Sequence, residues 1–189
     1  IDLNESERLK EIFSLIFPEF NNLDRLGRLK KICNNSQINK NILLAVLLID
    51  EKDNHEYFGH KYNIANNIRE NLNLLARNLK LLEENKNFFN KDLERNIYLF
   101  NKKHLIELNI INFAINAKYK MREFSETLKK ILQSKVHVFP INGKYLIDNG
   151  MKEGSVLGKV LKMIEEEWIS SQFKISKHRV KEIIELNSS

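Results

Sequence analysis

Apolar residues recur at helical intervals along almost the whole chain, and the recurrence predicts a succession of helices joined by short links. Residues 5–17 place Leu9, Ile12, Phe13 and Ile16 on one face, and Pro18 stops them. Asn21 or Asn22 can cap a second helix carrying Leu23, Leu26, Leu29 and Ile32. The run NILLAVLLID at 41–50 is apolar nearly all round and reads as core, followed by a loop, DEKDNHEYFGH. Two helices are predicted from about 56 to 70 and from 74 to 84, with a turn at Asn71–Asn73. Asn90 can cap a helix containing Leu93, Ile97 and Phe100. At 104–119, Leu105, Leu108, Ile111, Ile115 and Tyr119 form one stripe, widened by Ile106, Ile110, Phe113 and Ala114, so this helix is expected to be central. Residues 121–133 form one more helix. KVHVFP alternates like an extended segment, and Pro140 disfavours helix at Phe139, so the stretch reads as a connector. Beyond it come a short helix at 144–149 and a long one at 155–171 with Leu157, Leu161, Ile164 and Trp168 inward. Ser176 caps a last helix running to about Leu186. The expectation is an all-α protein with a helical body at 1–135 and a small helical tail at 136–189.

Composition sharpens this picture. The chain has 189 residues, enough for one ordinary domain or two small ones, and its 42% hydrophobic content supports a core. Six glycines and two prolines are too few for the frequent turns of a β-sandwich. The net charge of +6 suits nucleic acid, an anionic membrane or an acidic partner. Nine basic residues face four acidic ones between Asn101 and Gly150, which reads either as a binding surface or as a solvated face. Cys33 is the only cysteine, so no internal disulfide forms and the cytoplasm is the expected compartment. It falls on the pattern of Leu26, Leu29 and Ile32 and reads as a small buried hydrophobe. Asp2, Glu5, Glu7 and Glu11 are wrong for a signal peptide, and no apolar run reaches the length of a membrane span, so no membrane partner is expected. The first residue is Ile, which suggests a fragment or a processed product. The wealth of Asn, Lys and Ile is the mark of an AT-rich genome and leaves much of the Asn content without chemical meaning.

Candidate catalytic chemistry is sparse. His55, His60, His104, His137 and His178 show no ligand spacing, and one cysteine cannot build a Cys/His metal site. Glu165, Glu166 and Glu167 are consecutive, so they splay around a helix instead of converging. GSVLGK at 154–159 has three residues between its glycines where a phosphate-binding P-loop has four, and Val160 stands where that loop has a hydroxyl. Gly150, Gly154 and Gly158 follow a small-xxx-small rule, but Lys152, Glu153, Lys159 and Lys162 exclude a membrane helix pair. The glycines instead predict a helix, a tight turn and a helix. Gly150 suits a left-handed position after the first helix, Ser155 caps the second, and Gly158 permits close helix packing. With Lys144, Lys152 and Lys159 around it, this elbow reads either as a phosphate site or as a purely structural turn.

The whole stretch FPINGKYLIDNGMKEGSVLGKVLKMIEEEW, 139–168, resembles the C-terminal signature of bacterial class II tRNA nucleotidyltransferases, the CCA-adding enzymes. Phe139, Pro140, Gly143, Leu146, Gly150, Gly154, Gly158, Leu161 and Trp168 fall in register with it, and Ser155 stands where family members often carry Pro. NNLDRLGRLKKI, NILLAVLL and LERNIYLFNKKHLIELNIINFA resemble helices of the family's body more distantly. The resemblance implies a full enzyme that adds CMP and AMP to a tRNA 3′ end with CTP, ATP and magnesium. It places that chemistry in an N-terminal head marked by Gly-Gly-x-x-Arg-Asp and Asp-x-Asp. This sequence has no Gly-Gly and no Asp-x-Asp, so it is expected to carry no catalytic residue, metal or cofactor, and to depend on such a head in cis. Its own part would be to hold the tRNA. The candidate contacts are Arg25, Arg28, Lys118, Lys120, Arg122, Lys144, Lys152 and Lys159; Arg25 and Arg28 read equally as ordinary charges on a core helix. The alternatives are the C-terminal region of a poly(A) polymerase and a non-catalytic helical protein-interaction module.

Overall fold

The computed structural model describes residues 11–32 and 38–187. Every regular element among them is a helix, so the fold is all-α. In order, α1 covers residues 11–16, then α2 Arg25–Lys30, α3 Lys40–Leu48, α4 Asn54–Lys61, α5 Asn66–Glu84, α6 Leu93–Ile115, α7 Met121–Gln133, α8 Gly143–Asp148, α9 Ser155–Ser170 and α10 Lys177–Asn187. No described helix is long and apolar enough to cross a membrane. The expectations for Leu9 and Cys33 lie outside the described residues.

The chain divides into two compact units. The first holds the described residues up to Leu93 together with Phe100–Ser134, and the second holds Glu94–Leu99 and the chain from Lys135 onward. In the first unit, α3 packs on α2, α4 and α5. Asn39 starts α3 by accepting the N–H groups of Asn41 and Ile42 at 2.9 and 3.0 Å. The expected central stripe is buried: Leu105, Leu108, Ile110, Ile111, Phe113 and Ala114 are each at most 2% exposed. By contrast Ile12, Phe13 and Ile16 of α1 are exposed.

Several local expectations need correction. The stretch expected as a loop after α3 contains α4, whose His55, Phe58 and Gly59 are buried. Tertiary burial overrides its polar, glycine-bearing sequence. The turn expected at Asn71–Asn73 is absent, because α5 runs unbroken with Leu72, Leu75 and Leu79 inward. Asn21 and Asn22 do not cap α2, whose N-cap is Asp24; Asn22 donates instead to the Leu47 carbonyl. Asn90 does not cap α6 either, since its side chain accepts from Lys130. Inside α6, Asn101 has φ 65° and ψ 161°, and its side chain accepts the His104 N–H at 3.0 Å. That bond is an N-cap in the middle of the element, and it starts the helical stretch that carries the buried stripe.

The second unit is organised by helix endings. After α8, Gly150 sits at φ 102°, its N–H donates to Ile147, and the Met151 N–H reaches back to Leu146. This is a Schellman ending, completed by the contact of Leu146 with Met151 inside the unit's core. The α9 ending repeats it without glycine: Gln172 takes φ 57°, Phe173 N–H reaches the Trp168 carbonyl at 2.8 Å, and their rings meet at 4.9 Å. Leu146, Met151, Val160, Ile164, Val180, Ile183 and Ile184 fill the core, and Ser176 caps α10 through the Arg179 N–H. Ser155 does not cap α9; Gly154, at φ 149°, holds that position.

Gly158 does not lie at a close contact, because a Cβ there would meet nothing within 4 Å. The tight approach is at Gly143, where a Cβ would stand 3.2 Å from Leu157, and at Gly59, 3.2 Å from the Arg69 side chain. Gly59→Val should therefore destabilise the first unit by about 1–3 kcal/mol. Gly158→Ala should stabilise α9 by about 0.5–1 kcal/mol, since it removes only a flexible backbone position. Thermal denaturation followed by circular dichroism checks both signs.

Two buried histidines fix a pH dependence. Burial holds both His55 and His104 below the ordinary imidazole range. The neutral His104 Nε2 accepts from Asn78 at 2.8 Å, a bond that protonation destroys. The unfolded chain then binds protons more readily than the folded one below about pH 6.5, so stability is full above that value and falls as pH drops beneath it. Urea midpoints should be lower at pH 5.5 than at pH 7.5, and His104→Gln should reduce the difference.

Candidate nucleic-acid interface

The basic candidates separate into two kinds. Arg25 and Arg28 stand one turn apart on α2, and both guanidinium groups are committed to carbonyls. Arg25 Nη1 donates to Val46 and Ile49 at 3.0 and 2.7 Å, closing the end of α3. Partial burial lowers its pKa from the ordinary arginine range. Arg28 donates to Phe113, Asn116 and Tyr119 at 2.7, 2.9 and 2.7 Å and lies 4.6 Å over the Phe113 ring. A cationic donor on a helix C-terminus satisfies its unpaired carbonyls and complements its dipole. A phosphate at either residue would have to compete with those bonds.

The other six candidates are exposed. Lys118, Lys120 and Arg122 lie on the α6–α7 link and the first turn of α7, the segment that Arg28 holds from beneath. Lys120 starts α7 with its N–H on the Glu123 carboxylate at 2.8 Å. Its Nζ makes only a long contact to the Ala117 carbonyl, 3.4 Å. Arg122 pairs with Glu126 at 2.8 Å, but both side chains are open to solvent, so the pair is weak and exchangeable. The link is rigid for another reason. The Tyr119 hydroxyl bonds the buried Asn109 and Thr127, each at 2.8 Å, and burial pushes its pKa up to about 12.

Lys144, Lys152 and Lys159 belong to the second unit, on α8, in the turn and on α9. None of the three makes an ion pair or side-chain hydrogen bond within the described residues. The signature residues around them have separate tasks. Gly150 and Gly154 take positive φ, Gly143 admits Leu157, Pro140 lies in the extended connector, and Gly158 faces open space. Trp168 is buried against Tyr98, Phe139 and Phe173 at ring distances of 5.3, 5.3 and 4.9 Å.

The three consecutive glutamates do splay. Glu165 accepts from the Tyr98 hydroxyl, Glu166 reaches Lys162, and Glu167 takes a two-pronged pair from Arg179 at 2.8 and 3.1 Å. Burial and Glu165 push the Tyr98 hydroxyl up to about 12. Among the described residues no group of three His, Cys, Asp or Glu side chains converges on a metal position. Sequence reasoning missed the carbonyl-capping role of Arg25 and Arg28 and the surroundings of His55. The first needed knowledge of which helix ends lie beside α2. The second was hidden because α4 was read as a loop.

Comparison with protein-family models, with curated proteins and with solved structures finds no match for this chain. Placement of the side chains therefore carries the functional argument.

Removing Arg28 leaves three carbonyls without their donor. Arg28→Ala should cost about 2–3 kcal/mol in urea denaturation, whereas Lys118→Ala should stay within about 0.5 kcal/mol of the parent.

Proposed function

We propose that this chain is the tRNA-holding helical region of a CCA-adding tRNA nucleotidyltransferase, with catalysis in a head that its sequence does not contain. One observation carries the reading. The glycines of the resembling stretch sit in an elbow that uses them, with Gly150 and Gly154 at positive φ and Gly143 against Leu157. The lysines of the same stretch are exposed and unpaired around it. A cation without an internal partner keeps its charge available to an external anion. Lys118 and Lys120 on the α6–α7 link add a second group of the same kind, in the other unit.

Contacts of this type recognise phosphates and 2′-hydroxyls, not base sequence, because the deep groove of an A-form duplex is closed to side chains. Every tRNA shares one outline, so such contacts suffice to hold the molecule while a separate site extends its 3′ end. CTP, ATP and magnesium would belong to that separate site.

Binding of tRNA should therefore be strongly salt-dependent, with a log–log slope near −0.9 for each duplex phosphate neutralised. Replacing Lys144, Lys152 and Lys159 by Glu, or Lys118, Lys120 and Arg122 by Glu, should flatten the slope and weaken all tRNAs alike. Gel-shift titrations at two salt concentrations, with heparin as competitor, measure this. The proposal fails if tRNA does not bind, if heparin competes as well as tRNA does, or if both triple variants bind unchanged while circular dichroism shows an intact fold.

A further inference from the structure

Between α4 and α5, within the first unit, lies a cleft of about 340 Å³ lined by Asp53, His55, Glu56, Asn73, Arg77 and Lys80. Its volume is within the range of small-molecule sites. His55 is 4% exposed, and its Nδ1 is sealed from solvent with no hydrogen-bond partner. A buried polar atom left in this state is uncommon in folded proteins and calls for a bound group. An adjoining lobe of about 90 Å³ shares His55, Glu56 and Asn73 and extends to Arg69.

The lining selects the ligand. Asp53 is already neutralised by Lys80 at 3.3 Å. What remains is one carboxylate, Glu56, from α4, and one guanidinium, Arg77, from α5. Arg77 has only its Nε engaged, on its own helix at the Asn73 carbonyl, 3.3 Å. Two opposite charges on facing walls do not select a phosphate. They select a neutral ligand that offers paired donors on one edge and paired acceptors on the other. Among nucleobases, guanine has that layout: N1–H and the N2 amino group suit a carboxylate, and O6 with N7 suits a guanidinium. Adenine lacks the donor pair, and cytosine lacks the O6–N7 pair. The Asn73 amide and the His55 imidazole can each donate or accept at the remaining positions. Burial holds His55 neutral, which keeps it suited to an uncharged partner.

We propose that the α4–α5 cleft binds guanine, with Glu56 on its Watson–Crick edge and Arg77 on its Hoogsteen edge. The base arrives either as a free guanine nucleotide or as an unpaired residue of an RNA. The site is independent of the tRNA-holding surface.

Calorimetric titration of the chain with GMP and with AMP tests the proposal. GMP should bind about tenfold or more tighter than AMP. Glu56→Gln and Arg77→Gln should each abolish that preference while circular dichroism stays unchanged, since both side chains lie at the surface. The His55 ring resonances should shift with GMP and not with AMP. Equal affinity for the two nucleotides, no binding of either, or a preference that survives Glu56→Gln would overturn it. A hexamer of adenosines carrying one guanosine, set against the all-adenosine hexamer, separates the sources. Tighter binding of that hexamer than of GMP assigns the site to RNA, and the reverse assigns it to a free nucleotide. Loss of tRNA binding with retained GMP preference would sink the tRNA proposal alone, and the converse would sink this one alone.

Discussion

Each helix leaves its last four carbonyls without an intrahelical donor, and a chain built almost wholly of helices meets that demand again and again. Glycine is the usual answer, yet the sequence has only six. Two other devices take over. Arg25 and Arg28 carry guanidinium donors to the ends of α3 and α6, and Asn63 and Gln172 adopt the left-handed conformation in glycine's place. Asn63 ends α4 as Gln172 ends α9, with the Ile64 N–H returning to the Gly59 carbonyl. The strain of a side chain at positive φ is offset where the following residue packs, as Phe173 does on Trp168.

A second demand comes from polar groups that the central helix buries. His104, Glu107 and Asn109 are all under 9% exposed on α6. Each has a named partner: Asn78 for His104, Asn39 for Glu107, and Tyr119 with the Phe124 carbonyl for Asn109. These bonds tie α6 to α5, to the start of α3 and to α7. Apolar packing alone would allow several registers, whereas a satisfied polar network inside the core favours one. The partners are side chains distant in sequence, so the network holds together elements that share no local signal.

Much of the architecture is legible in the amino-acid order, and the failures have common causes. The helices of the second unit follow from Pro140, the glycines, Ser176 and a strong apolar period, because each signal there is local. α4 was not legible: NHEYFGHK has little apolar period and a central glycine, and it is helical because Phe58 and His55 find a buried place beside α5. The unbroken α5 was disguised by Asn71 and Asn73, residues that usually mark turns but here accompany a buried Leu72. Of the site, the exposed lysines were legible from charge alone. The division between free cations and those bound to carbonyls was not, because it depends on which helix ends meet α2 in space. Gly158 was misread because a helical glycine suggests contact, whereas the contact belongs to Gly143.

The clamp of Arg28 on the α6–α7 link has a kinetic consequence. Its bonds join residues 85 to 91 positions apart. Closing a loop of that length carries an entropic cost that no local helix formation offsets, so the bonds form only once the first unit has largely assembled. The link between α6 and α7 is thus ordered by global assembly and not by its own sequence. Its shape persists for as long as the unit stays folded and is lost with it, so the lysines it carries are presented by an intact fold alone.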